Sequence, residues 1–197
     1  MKRIIIISLT IFLVMLTGCN SQSTTDSNTS EISKDITSME VLIDNQLVKI
    51  TDNLTYSDLE KQGFTLDENY NGVLERTLKP SKNDSMIMES FNVKTSKNKL
   101  IAISVANTGN TKCTVKEGTV CFIGTYSGEE YDHSYTLPSG IKHNDTSEKI
   151  IKAWGQPQVN LSHLESGKML QYKTDKCTFT ANLDDNGKMV TFSFMLN

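Results

Sequence analysis

Near its end the chain reads Met189-Val190-Thr191-Phe192-Ser193-Phe194-Met195-Leu196, and this stretch gives the clearest indication of the fold. Apolar side chains recur at every second position and polar ones separate them: Val190, Phe192, Phe194 and Leu196, with Thr191 and Ser193 between. Because successive side chains of a strand point to opposite sides, this alternation predicts a half-buried strand, as found in antiparallel sheets.

The segments upstream of this strand predict an α+β fold. Further strands are expected over residues 85–91, 100–105, 119–126, 169–172 and 177–183, joined by tight turns such as that at 95–98. A short helix should begin at the capping pair Thr55 and Asp58 and end at Gly63. A second should begin with Asp145 and end at Gly155. We therefore expect antiparallel sheets with short helices packed on one face.

The order of elements predicts an internal duplication. A capped helix followed by a strand hairpin occurs in residues 39–126 and again in 127–197, which we call the first and second modules. Both helices end at a glycine. In the second helix Ile150, Ile151 and Trp154 share one face, so Trp154 is expected in the core, with a surface anchor as the alternative.

The N-terminus has the pattern of an export signal. A basic pair, Lys2-Arg3, precedes an apolar run that is too short for a membrane span of about 20 residues. The run ends in Leu16-Thr17-Gly18-Cys19, which resembles the lipobox of bacterial lipoproteins. That resemblance implies cleavage of the signal peptide 1–18 and a thioether-linked diacylglycerol on Cys19, with an additional N-acyl lipid such as palmitate left open. Two or more acyl chains anchor a protein stably, so the expected location is the outer face of the cell membrane.

Residues 19–38 are predicted to be a disordered tether. They consist mainly of Ser, Thr, Asn and Asp and contain too few apolar side chains to offset the entropy of folding. Loss of Lys2 and Arg3 with the signal peptide lowers the formal charge from −3 to −5. A mildly acidic exported domain has no electrostatic attraction to nucleic acid, so the expected partners are the membrane, another envelope protein or a cell-wall polymer.

Three cysteines remain beyond the lipidation site. Cys113 and Cys121 flank Lys116-Glu117-Gly118. If those three residues form a hairpin loop with Gly118 in a left-handed conformation, the two thiols face each other and a disulfide is expected. The alternative is that all three cysteines, including Cys177, are small buried hydrophobic residues. No spacing of cysteine or histidine indicates a metal site.

The second module carries a resemblance to known proteins. Its short motifs are 137–141, 146–150, 154–157, 170–172 and 185–188. They resemble a recurring C-terminal module of lipoproteins from low-GC Gram-positive bacteria. The pattern is also similar to the small lipoprotein of the outer-membrane β-barrel assembly machine and to the β-lactamase inhibitory proteins. This resemblance implies short helices on one face of an antiparallel sheet and a role in protein binding.

Three stretches of the sequence are candidate functional sites. Ser96-x-x-Lys99 matches the serine and lysine spacing of penicillin-recognising enzymes but lies in a predicted turn, without the K-T-G those enzymes add. Asp184-Asp185-Asn186-Gly187 begins like a calcium loop, but no later bidentate acid follows and a tight turn explains it. The third is a loop rich in acids and tyrosine that could form a binding surface or hold a cation: Glu129, Glu130, Tyr131, Asp132 and His133.

These observations predict a non-enzymatic, membrane-anchored binding module without a catalytic set. Two alternatives remain. An envelope-directed hydrolase would need His133, His143 or His163 gathered with acids or a serine. A solute-binding lipoprotein of a transporter would need two lobes around a cleft, for which the chain is short.

Overall fold

A computed structural model describes residues 36–81, 87–128, 134–161 and 168–197. The first module contains the helix α1 (Tyr56–Lys61) and these strands: β1 (Glu40–Ile43), β2 (Gln46–Lys49), β3 (Thr65–Leu66), β4 (Thr77–Leu78), β5 (Met88–Lys94), β6 (Leu100–Ala106), β7 (Cys113–Thr114) and β8 (Thr119–Gly124). The second module contains the helix α2 (Ser147–Trp154) and these strands: β9 (Tyr135–Leu137), β10 (Ile141–Lys142), β11 (Val159–Asn160), β12 (Lys168–Lys173), β13 (Cys177–Leu183) and β14 (Met189–Leu196).

Every strand pairing among the described residues is antiparallel, and the predicted α+β fold is confirmed. The large sheet has the strand order β11-β12-β13-β14-β8-β6-β5-β3, and a smaller one has the order β10-β9-β1-β2. Strands β4 and β7 form a separate two-stranded ladder. No described helix is both long enough and apolar enough to cross a membrane.

The two sheets are each arranged symmetrically about a central pairing between modules. In the large sheet β8 of the first module pairs with β14 of the second, and the other strands follow outward in matching order. In the small sheet the central pairing joins β1 to β9, and each outer strand is the hairpin partner of its neighbour. Both sheets therefore contain strands of both modules in the order that a duplicated unit would give.

Both helix starts are held by the same backbone contacts. The N–H of Val120 donates to the carbonyl of Leu54 at 2.7 Å, and the N–H of Met189 donates to that of Asp145 at 2.9 Å. One residue further on, the cap residues Thr55 and Thr146 form isolated antiparallel bridges to Thr119 and Lys188. The start of each helix is thus fixed to the start of the last strand of its module.

The helix caps differ in detail. The predicted capping box of α1 is confirmed: Asp58 N–H donates to Thr55 Oγ1 at 3.3 Å, and Thr55 N–H donates to the Asp58 carboxylate at 3.1 Å. The predicted cap of α2 is wrong by one residue, because Thr146 is the cap and accepts from Lys149 N–H at 3.3 Å. The carboxylate of Asp145 instead accepts from the N–H of Lys142 at 2.8 Å. It therefore closes the preceding turn and leaves the capping position to the next residue.

The core lies on one face of the large sheet, which we call the inner face. From α1, the ring of Tyr56 packs with its centre 6.1 Å from that of Phe91 in β5. From α2, the ring of Trp154 lies 4.8 Å from that of Phe179 in β13, and its Nε1–H donates to the carbonyl of Pro138 at 3.2 Å. From the small sheet, Tyr135 packs 4.8 Å from Phe192. Both helices and the small sheet thus cover the inner face, and Trp154 is half-buried against the core.

The final strand departs from strict alternation at its start. Phe192, Phe194 and Leu196 are buried on the inner face as predicted, but Val190 is only half-buried and Met189 is buried instead. The register of β13 and β14 shifts here: Asn182 pairs with Thr191, but the next residue, Leu183, pairs with Met189, so Val190 has no partner in β13. A bulge inserts one unpaired residue and reverses the side-chain alternation beyond it. The prediction for Val190 is therefore wrong for this structural reason.

The folded domain begins before the expected end of the tether. Ile36–Ser38 form a 3-10 turn, and Ile36 packs against the core. Residues 1–35, which include the signal peptide, Cys19 and most of the tether, lie outside the described residues.

Candidate functional site

The sites predicted from the sequence are not brought together by the fold. The binding loop of Glu129, Glu130, Tyr131, Asp132 and His133 lies outside the described residues, as does His163. His143 is half-buried, and its ring lies edge-on to that of Tyr135 at 5.8 Å. Among the described residues no group of three or more His, Cys, Asp or Glu side chains is placed to hold a metal ion.

The structure corrects the expectation of a Cys113–Cys121 bridge. Both thiols are free, and so is that of Cys177. The expected hairpin loop is absent because Val115–Glu117 form a 3-10 turn capped by Thr114, and Gly118 has an extended backbone with a φ of −70°. Cys113 pairs with Leu78 in the β4–β7 ladder, whereas Cys121 is buried in β8 and its Sγ contacts the carbonyl of Ser104 at 3.3 Å. Burial raises the pKa of the Cys121 thiol to about 11.

The two remaining motifs are turns, as their structural interpretation predicts. Ser96 is exposed in the β5–β6 turn, where its N–H donates to Gln46 Oε1 at 3.0 Å. Asp184 Oδ1 accepts from the N–H groups of Asn186 and Lys188 at 2.9 and 2.8 Å, and Gly187 has a φ of +72°. The lowered pKa of the Asp184 carboxyl is caused mainly by the N–H of Lys188. Its oxygen is thus engaged in closing the β13–β14 turn.

The face of the large sheet opposite the core, the outer face, carries a different surface. Its central positions bear uncharged side chains from the central strands of both modules: Ser90, Asn92, Ala102, Ser104, Phe122, Gly124, Gln171, Thr178, Thr180, Asn182, Thr191, Ser193 and Met195. Cross-strand hydrogen bonds join several of them, including Asn182 Nδ2–H to Thr191 Oγ1 at 2.9 Å. Ser90 and Ser104 share a hydroxyl–hydroxyl bond of 2.9 Å.

Two apolar side chains stand at the centre of the outer face. Phe122 and Met195 are directly opposite each other where β8 pairs with β14. Met195 is 43% exposed, so much of its apolar side chain is not stabilised by burial. Next to them Gly124 pairs with Ser193, and a Cβ on Gly124 would lie 3.0 Å from the Phe122 ring. The absence of a side chain at Gly124 thus leaves room for the end of the Phe122 ring.

A groove of about 320 Å³ crosses the outer face within the first module. Its floor is formed by β5 and β6, with Ser90, Asn92, Ala102 and Ser104. The aromatic residues Tyr70, Phe122 and Tyr126 are also among those that line it. Tyr70 belongs to the 3-10 turn Glu68–Tyr70 and packs 6.3 Å from Phe91, whereas Tyr126 follows β8 and is 52% exposed. No charged side chain is among the described residues that line this groove.

A second groove, of about 450 Å³, lies beside the β5–β6 turn and is lined by charged residues. Its charges already have partners. Lys94 contacts Glu68 and lies 3.5 Å from the buried carboxylate of Asp67, while Lys97 lies 3.4 Å from Asp44. The bond to Lys94 is the main cause of the lowered pKa of Glu68. These ion pairs hold the turn in place, so we regard the smaller, uncharged groove as the candidate site.

Sequence reasoning missed this groove because its residues come from distant segments of the chain. Tyr70 comes well before β5 in the chain and Tyr126 follows β8, and only the pairing of β5, β6 and β8 brings them together. The small residues Ala102 and Gly124 in otherwise bulky strands are the available signal. In comparisons with known protein families, curated proteins and solved structures, nothing matches this chain.

Proposed function

We propose that this chain is a lipid-anchored, extracytoplasmic binding module without enzymatic activity, and that the outer face of its large sheet is the binding surface. The lipobox-like stretch ending at Cys19 supports the anchor, and the polar residues that follow support a tether that holds the domain away from the membrane. The expected partner is a component of the cell envelope.

The outer face, on which no described helix or second sheet packs, is the observation on which this proposal mainly depends. The described helices and the small sheet pack on the inner face, and the central positions of the outer face carry uncharged side chains with Phe122 and Met195 in the middle. An antiparallel sheet needs only polar side chains on the face that meets water. Exposed methionine and aromatic side chains among polar ones are instead typical of surfaces that bind another molecule.

A charge placed at the centre of the outer face tests the binding surface. Met195→Glu should abolish recovery of an envelope component that is cross-linked to the full-length protein in intact cells. The exposed position of Met195 lets the fold accept the change. Ala153→Glu is the matched control, because it adds the same charge on the exposed side of α2. Equal recovery with both variants would contradict the proposed surface.

Metabolic labelling tests the anchor separately. Cells grown with radiolabelled palmitate should yield a labelled protein that lacks residues 1–18, and Cys19→Ala should remove the label. An unlabelled wild-type protein, or one that retains its first eighteen residues, would contradict the anchor and the location inferred from it.

A further inference from the structure

The two modules differ in side-chain size at the positions that form the floor of the groove. The last ladder pairs before the β5–β6 and β12–β13 turns are Lys94–Leu100 and Lys173–Thr178, which makes these positions equivalent. Two pairs further from the turn, Asn92 lies opposite Ala102 in the first module, and Gln171 lies opposite Thr180 in the second.

The next equivalent outer pair differs in the same direction. Ser90 faces Ser104 in the first module, whereas Met169 faces Asn182 in the second. The first module has the smaller side chain at each of these positions. Tyr70 and Tyr126 then border the open space that the small side chains leave.

The lining of the groove restricts what it can bind. With no charged side chain among its described residues, it offers no counter-charge, and a charged ligand would lose its hydration without compensation. A purely apolar ligand would cover the hydroxyls of Ser90 and Ser104, which have capacity beyond their mutual hydrogen bond. The ligand should therefore be uncharged and carry both apolar surface and hydrogen-bonding groups.

The position of the groove argues against an extended peptide. Peptides that add to sheets pair with the free backbone of an edge strand. This groove lies over β5, β6 and β8, and β6 and β8 are paired on both sides. At β6 and β8 the groove therefore offers only side chains, with aromatic rings beside hydroxyl and amide groups, which matches the composition of small-molecule sites.

We propose that this groove binds an uncharged glycan segment. A sugar ring has a face of C–H groups that can stack on Tyr126, Phe122 or Tyr70, and hydroxyls at its edge that can bond to Ser90, Ser104 and Asn92. The volume of about 320 Å³ is at the lower end of the range for small-molecule sites, which suits one short segment of a chain. This inference rests on the proposed function and names the class of ligand for the same outer face.

The test is a titration of the full-length protein, purified in detergent, with N,N′,N″-triacetylchitotriose as the probe and isothermal calorimetry as the readout. Tyr126→Ala should weaken binding at least about tenfold through the loss of one stacking ring. Ala102→Thr places the residue of the second module in the floor of the groove and should abolish binding. Ala153→Thr makes the same change on the exposed side of α2 and should leave binding unchanged.

Thermal unfolding of each variant separates loss of the groove from loss of the fold. Absence of binding to the wild-type protein, or equal binding by Ala102→Thr and wild type, would overturn the glycan inference. Tighter binding of an uncharged peptide than of the sugar, with the same response to Ala102→Thr, would also overturn it. The proposed function fails separately, when Met195→Glu and Ala153→Glu recover equal amounts of the envelope component.

Discussion

The two modules share a scaffold but differ on the outer face. Both have a threonine-capped helix, a left-handed glycine after it, and a sheet strand tied to the helix start. On the outer face, by contrast, Ala102 and Gly124 correspond to Thr180 and Ser193. The contacts that hold the helices and strands together thus recur in both modules, whereas the side chains on the outer face of the large sheet differ. Our proposal therefore places the binding groove in the first module, with the second module extending the sheet.

The largest expected effect tests whether the modules fold as one unit. Phe91→Ala removes a buried ring that packs against Tyr56 and Tyr70, and should cost about 3–5 kcal/mol of unfolding free energy. The single tryptophan, Trp154, lies in the second module and reports on that half through its fluorescence. Because both sheets contain strands of both modules, Trp154 fluorescence and far-ultraviolet circular dichroism should show the same lowered transition. An unchanged Trp154 transition would show that the modules unfold independently.

The next comparison concerns the glycines that precede the last strand of each module. A Cβ on Gly118 would lie 2.6 Å from Val105 Cγ1 and 3.0 Å from the carbonyl oxygen of Ala106. Gly118→Ala should therefore destabilise the protein by about 1–3 kcal/mol through overpacking. At Gly187 the nearest atom, Ser147 Oγ, is 3.5 Å away, and the expected cost is about 1 kcal/mol because its φ is +72°. Chemical denaturation of both variants measures the difference, and a larger loss for Gly187→Ala would contradict this packing.

The helix caps should show a smaller difference. Thr55→Ala breaks a capping box with reciprocal bonds to Asp58, whereas Thr146→Ala removes one bond to the N–H of Lys149. Loss of a cap costs about 0.5–2 kcal/mol, and we expect Thr55→Ala in the upper half of that range and Thr146→Ala in the lower half. Urea denaturation at neutral pH is the measurement. Serine at either position, which keeps the hydroxyl, is the control that should retain most of the stability.

The smallest expected effect is a pH dependence of the stability that the capping box of α1 contributes. Hydrogen bonds from Lys61 and then from Thr55 lower the pKa of Asp58 to about 2. Since the folded-state pKa lies below the unfolded value of about 3.9, the stabilisation is present above pH ~4 and is lost as the pH falls toward 2. Wild type should therefore be more stable than Asp58→Asn at pH 6, and the two should converge near pH 2. A constant difference across this range would show that the carboxylate charge does not contribute.

Local signals in the sequence were sufficient for much of the fold. The capping box at Thr55, the glycines at 63 and 155, and the alternation of Phe192, Phe194 and Leu196 each depend on neighbouring residues. The sequence contains a further signal for the predicted duplication. The turns that follow β5 and β12 share the pattern Lys-Thr-x-Lys, and in both the threonine Oγ1 accepts from the backbone of the turn.

The rest depends on contacts that no local pattern records. The pairing of β8 with β14 and of β1 with β9 joins strands far apart in the chain, and nothing in either strand specifies its partner. Val190 was misplaced because a bulge depends on both strands of a pair. The groove was missed for the same reason, since it requires Tyr70 beside β5 and Tyr126 beyond β8. The Cys113–Cys121 expectation failed on a local premise, the conformation of Gly118.

Photo-cross-linking from the two sides of the molecule tests most directly whether the outer face is the binding surface. Benzoylphenylalanine would replace Met195 on the outer face or Ala153 on the exposed side of α2, in the full-length protein within intact cells. We expect covalent adducts with an envelope component from position 195 and none from position 153. Adducts from position 153 alone, or equal yields from both, would contradict the claim that the outer face is the binding surface.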